Sequence, residues 1–219
     1  MYRVVKRILD IILSLLVLVF FFIPMIIIAI AIKVESKGPV LFKQERTGKN
    51  GKNFYLYKFR SMAKDNDVHN FKSENKLTKV GAFIRKTSLD ELPQIVCNIL
   101  IKGNMSFIGP RPWITDYYAN FTEEQKRRVE VTPGLTGLAQ CKGRNGISIF
   151  DKIKYDIEYV DNMSFIMDLK IVFLTIKCVL SKSGAELSKS GIKEELDALY
   201  KNKIESEQNN LNTNLKASA

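Results

Sequence analysis

The chain has 219 residues, enough for one domain with a real core and short for two. Lys and Arg number 34 against 23 Asp and Glu, a formal charge of +11 at pH 7, which points toward anionic partners: nucleic acid, an anionic membrane face or a phosphorylated substrate. Cys97, Cys141 and Cys178 are odd in number and widely spaced, and His69 is the only histidine. This disfavours a zinc site, a disulfide framework and a Ser-His-Asp triad, and fits a reducing cytosolic setting.

From the N-terminus, a basic Tyr2–Arg7 segment precedes an almost wholly apolar run from Ile8 to Ile32, broken only by Asp10, Ser14 and Pro24. Ala29-Ile30-Ala31 mimics a signal-peptidase site, but the run is too long for a signal core and only basic sequence follows. The run is long enough to span a bilayer as one helix. Against a simple span, positive charge flanks both ends, with Arg3, Lys6 and Arg7 before and Lys33 and Lys37 after, whereas a span concentrates it on the cytoplasmic side. Pro24 removes a backbone hydrogen bond near the middle, so a helix that enters, breaks at Pro24 and returns is the alternative. Asp10 is costly in lipid and lies close enough to the interface to pair with Arg7 or Lys6.

Val40–Gln44 and Asn53–Phe59 read as two strands around the Asn50-Gly51 turn. Lys58 and Arg60 on or beside the second strand fit a solvated strand face. Ala63–Lys79, with His69, is polar and reads as a loop or frayed helix. Val80, Phe83 and Ile84 form an apolar helical stripe that carries Arg85 toward Ser88-Leu89-Asp90-Glu91-Leu92-Pro93. Ser88-x-x-Glu91 is a capping-box pattern, in which Asp90 would merely favour the helix dipole. Pro93 prefers the first helical turn, which would instead leave Asp90 and Glu91 on the turn before the helix. In the chemical reading, an ionised carboxylate acts as a nucleophile on a phosphate, with Arg85, Arg111 and a hard divalent ion supplying positive charge.

Ile95, Val96, Ile99 and Leu100 form a further helix that stops at Lys102-Gly103. Gly109-Pro110-Arg111-Pro112 excludes regular helix and central strand and reads as a rigid loop presenting Arg111. Asp116–Val131 reads as a charged, mostly solvated helix, and Thr132–Gly137 as a second rigid loop. Gly143-Arg144-Asn145-Gly146 is a third, offering a cation and an amide for phosphate or base contacts. A helix covers Ile153–Val160. Ser164–Leu180 is apolar but too charged to span, so it is either core or an interfacial helix. Beyond Lys182 apolar content falls, and Ser206–Ala219 reads as disordered.

Taken in order and at their spacing, these segments resemble the bacterial sugar transferases, and more narrowly the small monotopic polyprenyl-phosphate phosphoglycosyl transferases. The segments are the basic membrane run, Tyr57-Lys58-Phe59-Arg60-Ser61-Met62, Ser88–Gln94, Gly103–Pro112, Pro133–Gly137 and Gly143-Arg144-Asn145. The resemblance runs from Tyr2 to Gly184. It implies an α+β fold, mostly helical. A re-entrant membrane helix broken at Pro24 would occupy residues 1–37. A small β-hairpin and interfacial amphipathic helices would surround a compact cytosolic catalytic domain over 38–184, followed by a polar, partly disordered tail over 185–219. Many relatives carry Ser before the proline; this chain has Ile23.

The resemblance further implies transfer of a sugar-1-phosphate from a UDP-sugar to polyprenyl phosphate at the cytoplasmic face of the bacterial inner membrane. Asp90 would be the nucleophile and, with Glu91, would hold Mg²⁺ or Mn²⁺. Lys58, Arg60, Arg85, Arg111, Arg144 and Asn145 would meet the substrate. Arg60 is often Lys in relatives, which keeps charge and changes geometry. Membrane lipid is an implied partner, and a homo-oligomer or downstream glycosyltransferases are compatible ones. A membrane-anchored basic adaptor explains the anchor and the charge but not the dyad. A nucleic-acid binder would show a helix-turn-helix or RNA-binding signature, and none is present, so no nucleic-acid partner is expected.

Overall fold

The computed structural model describes residues 2–63, 77–143, 147–180 and 192–217. The chain divides into two compact units, Met1–Gln44 with Tyr55–Met105, and Glu45–Phe54 with Ser106–Ala219.

The first unit is built on α1 (Tyr2–Glu35), one helix that continues through Pro24. The expected break is therefore not seen as an interruption. Proline removes one hydrogen bond, and the turns on either side, free of glycine, retain theirs. At 1.5 Å per residue α1 is ~51 Å long, against a hydrocarbon core of ~30 Å. Only Asp10, Ser14, Ile28 and Ile32 are buried along it. Asp10 and Ile28 are about five whole turns apart, and Ser14 and Ile32 follow each by one turn, so all four lie on one stripe. Much of the rest of its surface is apolar and exposed, with Val19 and Phe20 about three-quarters exposed.

α2 (Lys79–Lys86) is capped by Thr78, whose side chain accepts from Gly81 N. A 3₁₀ turn (Leu89–Glu91), a single α-helical turn α3 (Leu92–Gln94) and a π-helix (Ile95–Ile101) follow without interruption. α1 packs on that π-helix, where the Arg7 guanidinium donates to the Ile99 and Leu100 carbonyls that close it. Gly103, at φ +63, ends the element, as its Lys102-Gly103 stop signal predicts.

Strands β1 (Leu41–Thr47) and β2 (Asn53–Phe59) form the expected hairpin sheet. Asn50 and Gly51 both take positive φ at its tip, the conformation for which that dipeptide is suited.

In the second unit, β3 (Ser106–Ile108) pairs in parallel with β4 (Gly134–Thr136), so part of the expected second loop is a strand. A Cβ on Gly134 would lie 2.1 Å from Gly109 N, so backbone meets backbone there. Leu138, Tyr159 and Ile171 join Ile108 and Val131 in one core beneath the pair. The solvated helix expected over Asp116–Val131 is instead broken into α4 (Thr115–Ala119), α5 (Glu123–Lys126) and a 3₁₀ turn (Arg127–Val129). A capping box at Thr122 and Gln125 starts a new helix there. α6 (Leu138–Gly143), α7 (Ile149–Asp161) and α8 (Phe165–Leu180) complete the body of the unit.

α8 is core along one side only. Ile171 and Asp168 are buried, while Ile166, Phe173 and Ile176 are at least half exposed. The tail was expected to be disordered from Ser206, but α9 (Ile192–Ala217) is helical across it. Buried Leu199 anchors it beside Tyr117 and Phe121, and Glu195 accepts from the Tyr117 hydroxyl at 2.8 Å.

Candidate active site

The loop before the dyad turns on Ser88, a non-glycine residue in left-handed conformation at φ 57. That reversal ends α2 and starts the 3₁₀ turn carrying Asp90 and Glu91. The capping box expected there does not form. Ser88 makes no side-chain cap, and Pro93 lies in the first turn of α3, the alternative that left the acids ahead of the helix.

Glu91 is committed instead to Lys58 on β2, whose Nζ lies 2.6 Å from Glu91 Oε1 and 3.9 Å from Asp90 Oδ2. Asp90 is 9% exposed. Burial raises its pKa above the ordinary carboxylate range; Lys58 works against that, Glu91 adds to it, and Arg85 opposes it. Arg85 is held by Ser61, whose Oγ accepts from Nε at 2.8 Å. The first unit thus gathers a buried carboxylate, a second acid, an ammonium and a guanidinium, the set needed to bring one anion against another.

Arg60, expected to meet the substrate, is buried at the exit of α1. It donates to Lys37 O at 2.9 Å and to Ser36 O and Oγ at 2.7 Å. It ties down the residues that follow α1, near the helix C-terminus where a cation is favoured.

Arg111 belongs to the second unit, exposed in the loop after β3, and its carbonyl accepts from Arg128 at 2.7 Å. Arg128 is buried, paired with Asp156 at 2.6 Å and stacked on Trp113 at 4.0 Å. Arg46 lies in the same unit, donating to Pro112 O, and its pKa is pulled down to about 10 by burial and then by Arg111. Sequence reasoning passed over Ser61, Arg46 and Arg128. For Arg46 a signal existed, since strand alternation groups it with Phe42 and Gln44. Arg144, Asn145 and His69 lie outside the described residues.

Asp90 and Glu91 supply two carboxylates, and among the described residues no group of three or more metal-binding side chains occurs. Mg²⁺ is commonly held by one or two carboxylates with water and substrate phosphates completing its shell, so the pair fits such an ion.

The model of the bacterial sugar transferase family matches residues 1–182, and the chain belongs to that family. It is 49% identical over 157 residues to the uncharacterized sugar transferase EpsL of Bacillus subtilis, covering 71% of this chain and 77% of that one. To the galactosyl transferase CpsE of Streptococcus agalactiae it is 46% identical, over 69% of this chain and 37% of the relative. It is 42% identical to a UDP-glucose:undecaprenyl-phosphate glucose-1-phosphate transferase of Klebsiella pneumoniae, over 83% and 41%. The chain therefore spans less than half the length of the latter two.

Proposed function

We propose that the protein is a phosphoglycosyl transferase that moves a sugar-1-phosphate from a UDP-sugar to polyprenyl phosphate. The observation that carries this is buried Asp90, kept in range of Lys58 and Arg85 in the unit built on α1. In the first step an Asp90 oxygen attacks the sugar-linked phosphorus, the bond to the bridging oxygen breaks, and UMP leaves with that oxygen. In the second, an oxygen of the lipid phosphate attacks the same phosphorus, and the Asp90 carboxylate departs. Lys58 and Arg85 offset the charge that builds up as two anions meet, in a site where burial strengthens their effect.

Mg²⁺ or Mn²⁺ at Asp90 and Glu91, when bound, would supply Lewis-acid stabilisation of the phosphate oxygens. The lipid acceptor fits a protein with a bare apolar helix, and relatives' names specify undecaprenyl phosphate with UDP-glucose or UDP-N-acetylgalactosamine. Basic residues at both ends of α1, with Pro24 between, favour a re-entrant path that keeps both ends on the cytoplasmic face of the inner membrane. The exposed apolar face of α8 suits the headgroup layer.

The test is the intact mass of detergent-solubilised protein mixed with UDP-glucose, UDP-galactose or UDP-N-acetylgalactosamine and Mg²⁺, without lipid acceptor. A phosphosugar adduct that Asp90→Asn abolishes is the expected result. Turnover should fall by at least ~10³-fold in that variant while fold and membrane binding persist. Wild-type turnover in Asp90→Asn would overturn the mechanism. Absence of UMP release from any UDP-sugar, even with lipid phosphate, would favour the adaptor.

A further inference from the structure

Asn98 is fully buried in the π-helix, and every hydrogen-bonding position of its carboxamide except one oxygen lone pair is engaged. Its Nδ2 donates to Tyr55 O at 2.8 Å and to Asn104 Oδ1 at 3.1 Å, and its Oδ1 accepts from Tyr57 N at 3.2 Å. Tyr57 N can only donate and Tyr55 O can only accept, so the strand itself fixes which way the amide faces. The Asn98 carbonyl also accepts from Asn104 N at 3.1 Å and Met105 N at 3.4 Å.

One side chain thus replaces a strand neighbour for β2, bonding the residues on either side of Leu56 as a paired backbone would. Tyr57 immediately precedes Lys58. On the other side, residues 89–101 form continuous helical structure from the dyad to Asn98. The path from Asp90 and Glu91 through the helix to Asn98, across to β2 and along it to Lys58 contains no unsupported loop.

We infer that Asn98 is a positioning residue for the reaction, setting the register between β2 and the helix so that the Lys58 ammonium meets Glu91 and stands beside Asp90. This rests on the phosphoglycosyl-transfer reading only for its kinetic consequence, because the geometric consequence is measurable without substrate. Asn98→Ser shortens the side chain and removes the amide. It leaves Tyr57 N and Tyr55 O without their partner and frees the strand to shift. A misplacement near 1 Å at a charge-bearing group costs on the order of a hundredfold in rate.

The geometric arm is zero-length carbodiimide coupling, read by peptide mass spectrometry. Lys58 and Glu91, at 2.6 Å, should couple in the wild type, and Lys152 and Glu195, at 3.1 Å, provide an internal reference within the second unit. Asn98→Ser should lower the Lys58–Glu91 yield severalfold and leave Lys152–Glu195 unchanged. An unchanged Lys58–Glu91 yield overturns the inference. Equal loss of both couplings also overturns it, since Asn98 would then serve folding in general.

The kinetic arm is a double-mutant cycle on UMP release. Asn98→Ser should slow the wild type strongly, yet change a Lys58→Met background by less than about twofold. Independent, multiplicative losses would show that Asn98 does not act through Lys58. Should Asn98→Ser fail to accumulate folded, Asn98→Asp keeps the shape, removes the donor to Tyr55 and passes through the same two arms. Wild-type protein inert toward every UDP-sugar would count against the transferase reading alone, with the coupling yields still deciding the role of Asn98.

Discussion

Lys58 connects the two acids of the dyad, and its loss has a definite sign. Burial raises the Asp90 pKa, and Lys58 is the larger of the two cationic influences opposing that rise. In Lys58→Met the carboxylate therefore holds its proton to higher pH, and less nucleophile is ionised at any pH below its new pKa. The acid limb of kcat/KM for UMP release should move upward, with a loss on the order of a hundredfold at neutral pH. An acid limb left in place would exclude Lys58 from the charge balance of Asp90. Arg128 is a residue of another kind, serving stability. Its side chain and that of Asp156 are 1% and 2% exposed, so Arg128→Met strands a buried carboxylate. That should cost about 3–5 kcal/mol, read as a lowered thermal midpoint. The two cases differ in how far the sequence revealed them. Lys58 stands in a strand pattern beside an NG turn and could be placed. Arg128 pairs with a residue 28 positions on, and in a charged helical stretch nothing local distinguishes it from its solvated neighbours.

Among the elements, those set by local chemistry were legible: the hairpin, the helix under the Val80, Phe83 and Ile84 stripe, the stop at Gly103 and, as one of two alternatives, the acids ahead of Pro93. Those that depend on distant partners were not. The parallel β3–β4 pair joins Ser106 to Gly134 and Ile108 to Thr136, strands of three residues each that carry no periodic signature. The helical tail relies on Leu199 and Glu195 meeting α4 and α7, which its Asn- and Ser-rich composition does not reveal. Pro24 is a strong local signal of another kind, and it lies within the single helix Tyr2–Glu35. The β3–β4 pair also explains why glycine punctuates both loops. Gly134→Ala would drive a methyl into Gly109 N, so stability should fall by at least ~1–3 kcal/mol. A thermal midpoint equal to wild type would show that the strands separate without cost.

At the scale of the molecule, α1 and the excess of basic residues bear on where the protein works. With a re-entrant α1, cysteines introduced at Tyr2 and Lys37 should both react with an impermeant thiol reagent only when the cytoplasmic face is exposed, in a background lacking the native cysteines. Labelling from opposite faces would establish a spanning helix. The division into units has a consequence for synthesis on the ribosome. Residues Glu45–Phe54 belong with Ser106–Ala219, yet Tyr55–Met105 emerges between them. At 5–20 residues per second, that stretch takes about 3–10 s to appear. The hairpin tip, including Arg46, must therefore wait as an unmatched fragment while α1 and the unit that holds Asp90 become complete. Slow codons placed before position 106 would prolong that interval, and fast ones would shorten it.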